Sequence, residues 1–275
     1  MQPSPVSMDY DSPDCQAILH GIRMQAPFVY GLTNYVAATL SANVLLAVGA
    51  APAIGAAPGW ASSFGASAAG MWVNTAGLIN GDVQDMRNAI AVAGAANVPW
   101  VLDPVAMGAG AAEYDALIRT LAAGRPAVIR GNASEIMALA GGAGTARGVE
   151  TTATIAQAVP LGQALAHAQG AIVAISGPED HILAPDGRQV IVPGGHRLLT
   201  TVTGAGCALG GLIAAALAVA PSGPEQLHAV VAAHALYARA AEMAAPAARG
   251  TASFATGFVD ALSQLQQTAG CPPAV

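Results

Sequence analysis

Val/Ile/Leu-rich runs of four to six residues recur along this 275-residue chain, each followed by a Gly, Pro, Asn or Asp cluster and then an Ala-rich segment with apolar positions at helical spacing. A continuous apolar run suits a strand covered on both faces, and strands alternating with helices suit a parallel sheet. The clearest strands are predicted at 70–74, 100–103, 127–130 and 171–176, with helices over 82–96, 113–123 and 151–169 between them. Residues 181–192 read as a hairpin, because Asp186-Gly187 supplies a tight turn between two apolar runs. Helices follow at 207–220, 225–245 and 254–267. With no Ser/Pro-rich or charged linker and no internal repeat, the pattern predicts one α/β domain over 1–275, with flexible ends at 1–14 and 268–275.

Each of the four strands ends on a polar residue: Asn74, Asp103, Arg130 and Ser176. Ligands of open parallel sheets bind beyond the carboxyl ends of the strands, so these side chains are expected to converge on one site.

Composition narrows the function. The net charge of -6 argues against a partner held by its phosphate backbone. All ten positive side chains are Arg, and the absence of Lys excludes a Walker A lysine, a pyridoxal Schiff base and a lysine nucleophile. Cys15, Cys207 and Cys271 have neither disulfide-framework nor metal-ligand spacing, and no signal peptide is legible before Tyr10, which suits a reducing cytosol. No charge occurs between Arg23 and Asp82, but prolines and glycines break that stretch, and the apolar run at 205–220 is too short for a span. With only 9% charged residues in the whole chain, the surface is expected to be partly covered by other subunits.

The most informative segment is Thr203-Gly204-Ala205-Gly206-Cys207, which runs into an apolar helix. Glycines ahead of a helix let backbone N–H groups face a concavity where the dipole favours an anion. The same residues also fit a plain helix entry capped by Thr203. A thiol in the first turn of a helix is expected to have a lowered pKa, although a free Cys is also a common buried apolar residue.

Thr203-Gly204-Ala205-Gly206 is similar to the anion-hole signature of ribokinase-like kinases, in which an Asp base follows. Cys207 stands at that position, as it does in the hydroxyethylthiazole kinase family. Four further segments, 32–36, 42–52, 101–105 and 129–136, resemble the same family in the same order, and the likeness runs from about Phe28 to Leu265. The resemblance implies a ribokinase-like three-layer αβα sandwich, a homotrimer with the substrate at the subunit boundary, ATP as co-substrate with Mg2+, and a thiazole alcohol as acceptor. It assigns Arg130 and Ser176 to ATP, Gly204, Ala205 and Gly206 to the anion hole, and Cys207 to catalysis. Asn34, Ile54 and Gly204 fall at substrate positions, and Asp103 and Glu135 at the metal.

The residues themselves leave alternatives. Arg130 suits a bidentate phosphate clamp or a salt bridge; Asp103 and Glu135 suit Mg2+, a turn bond or a helix-terminus contact; Asn34 suits a ligand or a helix cap. Ile54 replaces the family's usual Met, and Thr201 its usual Lys. A hydroxymethylpyrimidine-type kinase would carry Asp at position 207. A Rossmann oxidoreductase would need GxGxxG early in the chain, which is absent, and a silent nucleotide-binding protein would bind without turnover.

Overall fold

The computed structural model describes residues 5–141, 146–147, 150–151 and 154–269. The chain opens with β1 (Val6–Ser7), α1 (Pro13–Gln25), β2 (Phe28–Leu32), α2 (Tyr35–Ala47), β3 (Ala51–Ile54), α3 (Trp60–Ser67) and β4 (Gly70–Asn74). It continues through α4 (Val83–Ala96), β5 (Trp100–Asp103), α5 (Ala112–Ala122), β6 (Val128–Asn132) and α6 (Ala133–Leu139) to a small ladder of β7 (Ala146–Arg147) with β8 (Glu150–Thr151). Then come α7 (Ile155–Gln169), β9 (Ile172–Ser176), β10 (Asp180–Leu183), β11 (Gln189–Val192), α8 (Ala205–Val219), α9 (Gln226–Ala244) and α10 (Thr251–Thr268).

One sheet runs in the order β1-β11-β10-β9-β6-β5-β4-β2-β3. From β9 to β3 every neighbouring pair is parallel, while β10 is antiparallel to both β9 and β11, which makes the hairpin expected at 181–192. Gly187 takes φ +94° in its turn. Strand alternation divides the apolar residues into two cores. Val29, Trp72, Val101, Val128 and Ala174 face α1, α2, α8, α9 and α10. Tyr30, Met71, Val73, Leu102, Ile129 and Val173 face α3 to α7 on the other side. The molecule is therefore the three-layer αβα sandwich expected, with α8 packed closely on the sheet. A Cβ on Gly210 would collide with the Trp72 indole nitrogen, so only glycine lets the helix backbone come so near.

Several boundaries differ from the sequence reading. The helix expected over 151–169 begins at Ile155, because Thr154 caps it in a capping box with Gln157, and Thr151 belongs to β8. Part of the N-terminal stretch expected to be flexible is tied down: Val6–Ser7 pairs with β11, and the Tyr10 hydroxyl donates to Leu265 O at 2.9 Å. Of the expected C-terminal end, 270–275 lies outside the described residues, as does Cys271. No described helix is long and apolar enough to cross a membrane.

Candidate active site

The strand-end residues meet on one face because of the pleat. Asn74, Asp103, Arg130 and Ser176 each follow by two positions a residue that faces the α8 layer, namely Trp72, Val101, Val128 and Ala174. Since side chains two apart on a strand share a face, all four point toward α8 at the carboxyl ends of adjacent strands. They form a chain of contacts. Asn74 Nδ2 donates to Asp103 Oδ2 at 2.9 Å, Arg130 Nη1 lies 3.7 Å from the same oxygen, and Arg130 Nη2 donates to Ser176 Oγ at 2.9 Å.

Opposite them stands the start of α8. Gly204 is its N-cap with φ +83°, so no side chain, Thr203 included, caps the helix. Ala205 N donates to Val202 O and Ala208 N to Gly204 O, but the Gly206 and Cys207 amides have no acceptor among the described residues. A Cβ on Gly206 would lie 3.3 Å from Arg130 Nη1, which puts the guanidinium directly over this turn. Free amides, a helix N-terminus and a largely covered cation thus share one small space, an arrangement suited to an anion. Tyr237 from α9 steadies the turn by donating its hydroxyl to Ala205 O at 2.6 Å.

The electrostatics follow from burial. Asp103 is fully buried, and desolvation pushes its pKa up to about 7, with Glu135 adding to the rise and Arg130 and Asn74 opposing it. Burial works against the Arg130 charge, but Asp103, Glu135 and Asp180 outweigh it, so its pKa moves up and it stays protonated. Cys207 corrects the expectation of a lowered thiol: desolvation, helped by Asp103, pushes it up to about 12, beyond what Asn74 and Arg130 recover. The thiol keeps its proton at neutral pH.

Glu135 has a structural task. Oε2 accepts from Asn132 N and Oε1 from Ala106 N, both at 2.9 Å, completing a capping box at α6 and pinning the loop after β5. Desolvation raises its pKa against these bonds. Asp103 Oδ1 and Arg130 Nε are buried without partners, so the cluster fits a cation and phosphate oxygens as its missing neighbours. Among the described residues no group of three or more His, Cys, Asp or Glu side chains forms a cation cage. A metal here would take its remaining ligands from water and phosphate.

The expected substrate residues lie to one side. Asn34 caps α2, its Oδ1 accepting from Ala37 N at 2.8 Å, and Gly204 packs against the same turn of α2, where its Cβ would stand 3.0 Å from Ala37 Cα. Ile54 ends β3, half-buried against the α8-side core. Next to it opens a cavity of about 780 Å³ lined by Leu32, Thr33, Tyr35, Gly55, Ile79 and Tyr114. This cavity lies between β2 and β4, where the strand order reverses, the place where open α/β sheets bind ligands. It does not include Arg130, Asp103 or Cys207, so the cavity and the anion turn are neighbouring parts of one edge.

Sequence reading missed Asp180, His234 and Tyr237 as parts of the site's support. Each acts through a partner far along the chain, which no local motif signals.

Residues 19–268 match the Hydroxyethylthiazole kinase family. A hydroxyethylthiazole kinase of Burkholderia pseudomallei (strain 668) is 56% identical over 260 residues, covering 94% of this chain and 92% of the relative. One from Leptospira interrogans serovar Lai is 42% identical over 248 residues, 90% of this chain and 91% of its own. The solved hydroxyethylthiazole kinase protein of Pyrococcus horikoshii OT3 superposes with a TM-score of 0.79 at 30% identity, over 91% of this chain and 92% of that one. A ribokinase-like superfamily protein of Enterococcus faecalis V583, at 13% identity and TM-score 0.64, shares the fold. With an unpaired amide turn, an Arg over it and this match along nearly its whole length, the chain belongs to the hydroxyethylthiazole kinase family.

Proposed function

We propose that this protein phosphorylates the primary alcohol of 4-methyl-5-(2-hydroxyethyl)thiazole at the expense of ATP, the kinase step of thiamine salvage. The observation that carries the reading is the pair of unclaimed amides at Gly206 and Cys207 beneath the Arg130 guanidinium. Phosphoryl transfer passes through a loose transition state whose charge lies on the equatorial oxygens, so alignment and neutralisation supply most of the rate. The amides hold the migrating group. Arg130, seated against Ser176, neutralises its oxygens.

Cys207 holds its proton, so it orients the acceptor hydroxyl by hydrogen bonding and does not act as a base. A loose transition state asks little of a general base, and the alcohol proton passes late to an oxygen of the transferred phosphoryl group. Asp103, through Oδ1, and the remaining lone pairs of Glu135 would hold Mg2+ directly or through water; when bound, the ion would neutralise phosphate charge. Asn34 and Ile54 flank the acceptor, and the 780 Å³ cavity beside them supports an acceptor site completed by a neighbouring subunit of a cytoplasmic homotrimer. Tyr35, Val36 and Ile79 support that assembly: they are 75%, 70% and 81% exposed at or near the cavity rim.

The test is ADP release from Mg-ATP with the thiazole alcohol, beside hydroxymethylpyrimidine and no-acceptor controls. Turnover confined to the thiazole alcohol is expected. Equal or greater turnover with hydroxymethylpyrimidine, or binding of both ligands without ADP release, would overturn the assignment.

A further inference from the structure

One polar pair, a buried histidine with a half-buried aspartate, has no place in the chemistry described so far. His234, midway along α9, is 0% exposed among Ala, Val and Leu, and its Nδ1 lies 2.6 Å from Asp180 Oδ2 at the start of β10. Its Nε2 has no partner. An imidazole so placed carries a desolvation cost that an apolar side chain would avoid, so the contact to Asp180 is what the residue contributes.

Asp180 has a second bond. Its Oδ1 accepts from Gly177 N at 2.9 Å, closing the turn between β9 and β10. Ser176, the residue just before Gly177, accepts from Arg130 Nη2. Desolvation works against the Asp180 carboxylate, yet His234, the Gly177 amide and Arg130 outweigh it and hold its pKa below the usual range. Three residues further along α9, on the same side of the helix, Tyr237 donates to Ala205 O at the start of the anion turn. One helix thus grips both halves of the site, the guanidinium half through His234 and the amide half through Tyr237.

We propose that His234 and Asp180 are positioning residues for the nucleotide phosphates: from α9 they fix the β9–β10 turn, and through Ser176 they set Arg130 against the Gly206–Cys207 amides. The proposal rests on the reading that Arg130 and Ser176 contact ATP.

The test is steady-state kinetics of His234→Leu, His234→Asn and Arg130→Ala, with both substrates varied. His234→Leu fills the space but drops the bond, and the KM for ATP should rise about 5- to 10-fold while the KM for the alcohol stays within about twofold. Asn carries an N–H donor close to the position of Nδ1, so His234→Asn should recover most of the loss, which a merely structural role would not predict. An unchanged KM for ATP in the Leu variant, or both KM values rising together without recovery by Asn, overturns the proposal. Should the Leu variant fail to fold, Asp180→Asn decides by the same split, since it keeps the bond to Gly177 and removes the charge. A silent Arg130→Ala would sink the nucleotide reading itself, whereas an impaired Arg130→Ala beside a silent His234→Leu sinks only the positioning role.

Discussion

At Cys207 two effects pull in opposite directions. The N-terminal turn of α8 favours a thiolate, while burial beside Asp103 disfavours it, and the second prevails by pushing the thiol to about 12. A protonated thiol is a modest hydrogen-bonding partner for an alcohol, so Cys207→Ser should lower turnover roughly tenfold without abolishing it. Cys207→Asp should retain or raise turnover, because a carboxylate accepts the hydroxyl proton more strongly; complete loss in a folded, ATP-binding Asp variant contradicts this account. Asp103 gives a second prediction at this scale. Its pKa rises from 3.8 to about 7 on folding, so the metal-free folded state binds this proton more tightly than the unfolded chain. The stability it contributes is fully present below about pH 4 and declines as the pH climbs toward 7, by up to about 4 kcal/mol. Thermal unfolding of metal-free wild type should therefore fall relative to Asp103→Asn between pH 4 and 8; parallel curves would refute the shift.

At the scale of elements, the site depends on how helices begin. Gly204 takes φ +83° with its α-carbon face close to Ala37, so Gly204→Ala meets both a left-handed backbone and a backbone contact at 3.0 Å. It should destabilise the protein by about 2 kcal/mol and lower kcat about 100-fold by moving the amides, as read by thermal unfolding and ADP release. At α6, Glu135 accepts from two backbone N–H groups, one on each oxygen. Glu135→Gln therefore places an amide N–H2 against a donor and should cost about 1–3 kcal/mol of stability in metal-free protein. If the variant unfolds like wild type without metal and loses only Mg2+-dependent activity, the capping role is not what fixes this side chain. Such termini were partly legible. The glycines of Thr203-Gly204-Ala205-Gly206 marked a helix entry, but the N-cap proved to be Gly204 and not Thr203, because a left-handed residue there turns the chain into the helix without a side-chain cap.

For the whole molecule, the charge-free stretch from Met24 to Gly81 folds into the largely buried β2 and β4, the more open edge strand β3, and the exposed rim of Tyr35, Val36 and Ile79. Ile79→Asp places a charge in the proposed subunit contact and should turn the proposed trimer into a monomer by sedimentation, with loss of acceptor turnover; a wild-type mass that is not trimeric, or one the variant leaves unchanged, would remove the proposed boundary from this face. Over residues 24–69 of that stretch no strand or helix was assigned from the sequence, although they hold β2, α2, β3 and α3: with nearly every residue apolar or small, periods of 2 and 3.6 give no contrast. Where polar residues punctuate apolar runs, at Asn74, Asp103, Arg130 and Ser176, the sequence alone determined the strands and the shared face of their polar ends, because the pleat depends only on order along the chain. Only the tertiary structure decided the rest. Strand order brought Asp103 beside Arg130, burial reversed the expected state of Cys207, and the packing of α9 joined His234 to Asp180 across 54 residues. Desolvation and long-range pairing depend on what surrounds a side chain in space, and that information is absent from any local stretch of sequence.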